Sequence, residues 1–118
     1  MEPLSDFSRK RIFDILGNDI QLMSEILDIV KQDFPNHIVM LGQAIEDKDY
    51  TSVYETAHTL KGSLANIGAE RGSSLAAAIL ASTELEDFEK CAELYPHIKD
   101  SVEQFLKEFE RYIHSTEH

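Results

Sequence analysis

The sequence predicts an all-α fold, an antiparallel four-helix bundle with a short extra helix at its N-terminus. Three observations lead there. Apolar residues recur at three- and four-residue steps along almost the whole chain, and no segment alternates with a period of two over more than a few residues. Short polar clusters such as Gly17-Asn18-Asp19 and Asp47-Lys48-Asp49 divide the periodic stretches, leaving loops of only a few residues. Amphipathic helices joined by such loops bury their stripes most simply by packing antiparallel, and 118 residues suffice for one core but not two. Residues 1–118 are therefore expected to form a single domain.

The first helix is expected from about Asp6 to Leu16, capped by Ser5 or Asp6 and packed across one end of the bundle. Asp19 caps the second, which carries Met23, Leu27, Val30, Phe34, Ile38, Leu41 and Ile45 on one stripe. Pro35 lacks a backbone donor and crowds the preceding turn; because the stripe keeps its phase across it, the expectation is a kink near Lys31 rather than a break. Asp49 caps a third helix that runs to about Ile67, where Gly68 suits the left-handed residue beyond a helix end. A fourth spans about Glu70 to Thr83, with Leu75, Ile79 or Ala78, and Ser82 inward. The last spans about Asp87 to Ile113, its stripe formed by Phe88, Cys91, Leu94 or Tyr95, Ile98, Val102, Phe105, Phe109 and Tyr112, with Pro96 as an internal defect. Ser115 to His118 are expected to fray.

Composition narrows the function classes. Twenty-two acidic against 11 basic residues give a formal charge of -11, which opposes binding to phosphate backbones and anionic lipid surfaces. Nucleic acid and membrane are thus not expected partners. The lone Cys91 offers no internal disulfide and sits on an inward stripe as a small core residue, while no charged-then-apolar leader precedes Leu4. A soluble, cytoplasmic protein is the expectation.

The informative stretch is AHTLKGSLANIGA, Ala57 to Ala69. Val53, Ala57, Leu60, Leu64 and Ile67 share one face of the third helix. At about 100° per residue, Gly62 falls about 180°, His58 about 140°, Ala65 about 120° and Lys61 about 80° from the centre of that face. His58 is therefore expected outside, above an almost bare helix surface. A glycine inside a helix costs up to about 1 kcal/mol relative to alanine, so Gly62 implies a need for space. An exposed imidazole with room around it suits the approach of a partner's reactive group, and its simplest chemistry is nucleophilic: accepting and returning a phosphoryl group. Such transfer needs positioning and positive charge near the phosphate oxygens, which Lys61 would supply. The chain has no Gly-rich phosphate loop, no recognisable metal-binding carboxylate cluster and no second catalytic group. Magnesium and catalysis are expected from a partner, and the chain itself needs no cofactor.

At these residues the sequence resembles histidine-containing phosphotransfer domains, the four-helix carriers of multistep two-component phosphorelays. Ala57-His58-x-Leu60-Lys61-Gly62-Ser63 followed by Asn66-Ile67-Gly68-Ala69 carries the resemblance, which extends over the preceding long helix and the hairpin after it. It implies that His58 is phosphorylated by the aspartyl phosphate of a receiver domain and passes the group to another receiver, with a hybrid sensor histidine kinase upstream. It further implies a monomeric carrier rather than an enzyme. Lys61 would stabilise the phosphate and Gly62 would admit the incoming loop. By their place further round the helix Ser63 and Asn66 could at most assist, while Ala65 continues the bare surface a turn beyond, so Ser63 and Ala65 complete the candidate phosphate-stabilising or docking residues. Leu64 departs from the small residue common there, but its phase is inward.

Other readings of the same residues exist. Gly62 would also suit close packing against the first helix, and Ser63 and Asn66 local hydrogen bonding near a helix end. Glu55 and His58 have the Glu-x-x-His spacing of di-iron bundles, but the chain lacks the second such pair and both residues are phased outward. A helical adaptor without phosphorylation would use the same face and would present a larger apolar patch than Tyr54, Gly62 and Ala65 provide.

Overall fold

The computed structural model describes residues 8–116. It contains five helices: α1 (Arg9–Leu16), α2 (Ile20–Glu46), α3 (Tyr50–Asn66), α4 (Glu70–Glu84) and α5 (Phe88–Thr116). α2 packs against α3 and α5, and α4 packs against the same two, closing a four-helix bundle. Buried residues from all five helices form one core, with Met23, Leu41, Leu60, Leu64, Ile79, Phe105 and Phe109 among its largest members. Cys91 is fully buried there, and Leu64 is inward as its phase requires.

α1 sits at one end of the bundle, beside Gly68, Glu70 and Tyr112, and its cap differs from the expected one. Ser8 accepts a hydrogen bond from the Arg11 amide, so the helix begins at Arg9; the expected caps Ser5 and Asp6 fall outside the described residues. Ile12 enters the core, Arg11 pairs with Glu70, and the Arg9 guanidinium sits 5.5 Å from the centre of the Tyr112 ring. Those contacts tie α1 to the α3–α4 turn and to the far end of α5.

The three turns within the bundle share one design. The amides of Asp49, Ala69 and Asp87 each reach back five residues, to the carbonyls of Ala44, Leu64 and Ser82. That closure requires a left-handed residue just before each: Lys48 (φ 56°), Gly68 (φ 80°) and Glu86 (φ 56°). Asp49 and Asp87 then cap the following helices by accepting from the amides of Ser52 and Lys90. One residue thus ends a helix and starts the next, which is why the loops are so short.

α2 runs unbroken through the exposed Pro35, so the proline removes one intrahelical donor without ending the helix. α4 turns Ala76, Ile79, Leu80, Ser82 and Thr83 inward and leaves Leu75 only half-buried. α5 continues past the expected end, with the Ser115 hydroxyl donating to the Tyr112 carbonyl, so Ser115 and Thr116 remain helical. Among the described residues no helix is long and apolar enough to cross a membrane.

Candidate functional site

The α3 register follows from its apolar spacing. Val53, Ala57, Leu60 and Leu64 are fully or almost fully buried, which forces His58, Lys61, Gly62 and Ala65 onto exposed parts of the helix. The Asp49 cap and the left-handed Gly68 define the two ends of that register. A hydrogen bond from the Ser73 hydroxyl to the Lys61 carbonyl (3.0 Å) joins α3 to α4 beside the site.

Gly62 stands one turn beyond His58 and faces open space: a methyl group built there would meet no other part of the described residues within 4 Å. It therefore does not pack against α1, which instead reaches Gly68 through Ile15 and Arg11. Lys61 is exposed and belongs to none of the described ion pairs, so its ammonium is available to an anion. On the other side of His58, the Tyr54 ring lies 6.1 Å away, centre to centre, and 17° from parallel.

Ser63 takes a different direction from His58. It is half-buried and lines, with Thr59 and Asn66, a groove of about 320 Å³ between α2, α3 and the end of α1. Asp33 and His37 of α2 supply polar groups to that groove, and Ile15, Ile26 and Val30 its apolar wall. The His37 ring nitrogen Nδ1 lies 2.7 Å from the Asp33 carbonyl, which ties the imidazole to its own helix. Further along, the exposed Val39 and Met40 border a second depression, shared with Glu55 and Thr56. The predicted site residues thus divide into an outward line, His58, Lys61, Gly62 and Ala65, and a groove residue, Ser63.

Glu55 and His58 are both exposed, and no group of three or more potential metal ligands occurs among the described residues. The geometry suits a single nucleophile with an adjacent cation and a clear approach, which is what a carrier of a reactive group requires.

The family model of the Hpt domain matches residues 25–112, which include α3, α4 and most of α2 and α5. The chain belongs to the Hpt domain family. Hpt domains are the phosphotransfer carriers of two-component signalling rather than enzymes. Such carriers have response-regulator receiver domains as partners. The chain is also similar to the phosphorelay intermediate protein rdeA of Dictyostelium discoideum, with 28% identity over 105 residues, 89% of this chain and 41% of that protein. It therefore spans less than half the length of this relative. No solved structure matches it.

Within this Hpt domain, Tyr54 is the site neighbour that sequence reasoning treated only as apolar surface. Its signal was present: an aromatic residue four positions before a histidine on one helix is placed to touch it.

Proposed function

We propose that residues 1–118 act as one phosphotransfer domain in which His58 is the phosphoryl acceptor. A neutral imidazole nitrogen attacks phosphorus in a receiver's aspartyl phosphate. The N–P bond forms, the P–O bond to the aspartate breaks, and the electron pair returns to the carboxylate. The reverse step on another receiver completes the relay, and a hybrid sensor histidine kinase is the upstream source.

The exposure of His58 beside the open surface at Gly62 carries this reading, because phosphoryl transfer between two proteins needs in-line approach within bonding distance. Lys61 balances charge on the phosphoryl oxygens, and Ala65 keeps the surface beyond it low. The groove that includes Ser63, together with exposed Val39 and Met40, gives the receiver polar and apolar contacts across α2 and α3. The receiver supplies magnesium. The carrier works as a cytoplasmic monomer, and its charge of -11 disfavours nucleic acid and anionic lipid as partners.

Incubation with a phosphorylated receiver domain and magnesium, followed by intact mass and peptide mapping, tests this. The expected product is one acid-labile, alkali-stable phosphate on His58, absent from His58→Gln, which keeps full helicity. Equal labelling of that variant would overturn the assignment. A wild-type chain that binds receivers without ever being labelled would favour the adaptor reading instead.

A further inference from the structure

We propose that Tyr54 is a positioning residue for His58: its phenol ring stacks beside the imidazole, holds its plane and leaves the Gly62 side as the route of approach. This inference rests on His58 being the acceptor.

Tyr54 lies on the same strip of α3 as His58, four residues earlier. Tyr54 is 43% exposed and is not part of the buried core. Ring centres 6.1 Å apart at 17° describe an offset parallel pair, within the range in which aromatic rings attract one another. Helical side chains lean toward the N-terminus, which brings the imidazole back over the turn that carries Tyr54 and away from Gly62. One side of the histidine thus has an aromatic ring beside it, while the other faces Gly62, which carries no side chain.

This asymmetry has two consequences for transfer. An exposed histidine alone samples several staggered side-chain orientations, and a stacked neighbour restricts them before the partner arrives. As the imidazole lone pair forms the N–P bond, the leaving group departs with the electrons of the broken bond. The proton stays on the other ring nitrogen, so the ring becomes a phosphoimidazolium until that proton is lost to water. The Tyr54 ring, its centre 6.1 Å from that of the imidazole, is then the aromatic neighbour of a cation. At an exposed site such a contact is worth about two- to fivefold in rate or equilibrium, or about 0.5–1 kcal/mol at about 1.36 kcal/mol per tenfold.

Tyr54→Phe and Tyr54→Leu test the role, with potassium phosphoramidate as donor so that protein docking plays no part. Spectra of the His58 imidazole C–H groups are recorded alongside, since an aromatic neighbour displaces them by its ring current. Tyr54→Leu is expected to lose that displacement and to be phosphorylated at His58 about two- to fivefold more slowly. Tyr54→Phe is expected to keep both, and the exposed position leaves helicity unchanged in either variant. Wild-type spectra and rate in Tyr54→Leu, or a Tyr54→Phe chain that behaves like Tyr54→Leu, would overturn the proposal. A wild-type chain unlabelled at His58 would overturn the carrier reading itself; the ring-current displacement is read without phosphate, so the two failures are told apart.

Discussion

Two helical glycines, Gly42 and Gly62, should respond to the same substitution with opposite sign. A glycine in a helix interior costs about 0.5–1 kcal/mol relative to alanine, mostly in backbone entropy. At Gly62 the added methyl meets nothing within 4 Å among the described residues, so Gly62→Ala recovers that cost. The expected gain of about 0.5–1 kcal/mol raises Tm by about 2–4 °C for a domain of this size. At Gly42 the methyl carbon would lie 2.6 Å from the Tyr95 hydroxyl oxygen and 2.7 Å from the adjoining ring carbon. The Tyr95 ring would have to swing away, breaking the hydrogen bond its hydroxyl donates to the Ile38 carbonyl at 2.9 Å. That bond is worth about 1 kcal/mol and the displaced ring packing about as much again, so Gly42→Ala loses a net of about 1 kcal/mol despite better helix propensity. Urea and thermal unfolding of both variants decide the matter. Loss of stability in Gly62→Ala would show that the glycine is structural. If the gain is found, Gly62→Gln should fold equally well yet slow transfer from a receiver at least tenfold, because only the partner occupies that space; undiminished transfer would refute the idea that the stability cost at Gly62 serves docking.

Lys61→Ala should be labelled at His58 but more slowly, or should lose its phosphate sooner, by roughly a factor of ten for one charge beside a phosphoryl group; identical time courses would remove Lys61 from the site. Lys48→Gly and Glu86→Gly should each stabilise the bundle by about 0.5–1 kcal/mol, since both native residues hold a left-handed backbone, as urea unfolding would reveal. Asp49 lies below its ordinary value of 3.8 because it accepts first from the Ser52 hydroxyl and then from the Ser52 amide. A depressed carboxylate contributes stability above its unfolded pKa and loses it as pH falls through the native value. Ser52→Ala should therefore be less stable than wild type at neutral pH, with the gap closing below the ordinary carboxylate range; a gap independent of pH would show that the hydroxyl acts by other means.

Much of the bundle was legible in the sequence, because helix phase is a local property. The steps between Val53, Ala57, Leu60 and Leu64 forced His58 and Gly62 outward, and Asp19, Asp49 and Gly68 marked helix ends through bonds to residues at most five positions away. His58 and its neighbours also carried the family resemblance by themselves.

Tertiary structure decided what depends on partners distant in the chain or on rotamers. Ser63 carries the same motif as His58 but was sent into the groove with α2, because the α2–α3 contact, not α3 alone, determines which flank is covered. Gly42 gave no local sign of its role, since the Tyr95 ring that needs its space lies more than fifty residues away. Lys48 and Glu86 took the left-handed conformation that glycine takes at residue 68, because the tight closures between helices demand it whatever the side chain. Spacing alone allowed Tyr54 to meet His58; the ring orientations that make it a stacked pair emerged only when the folded helix left both side chains outside the core.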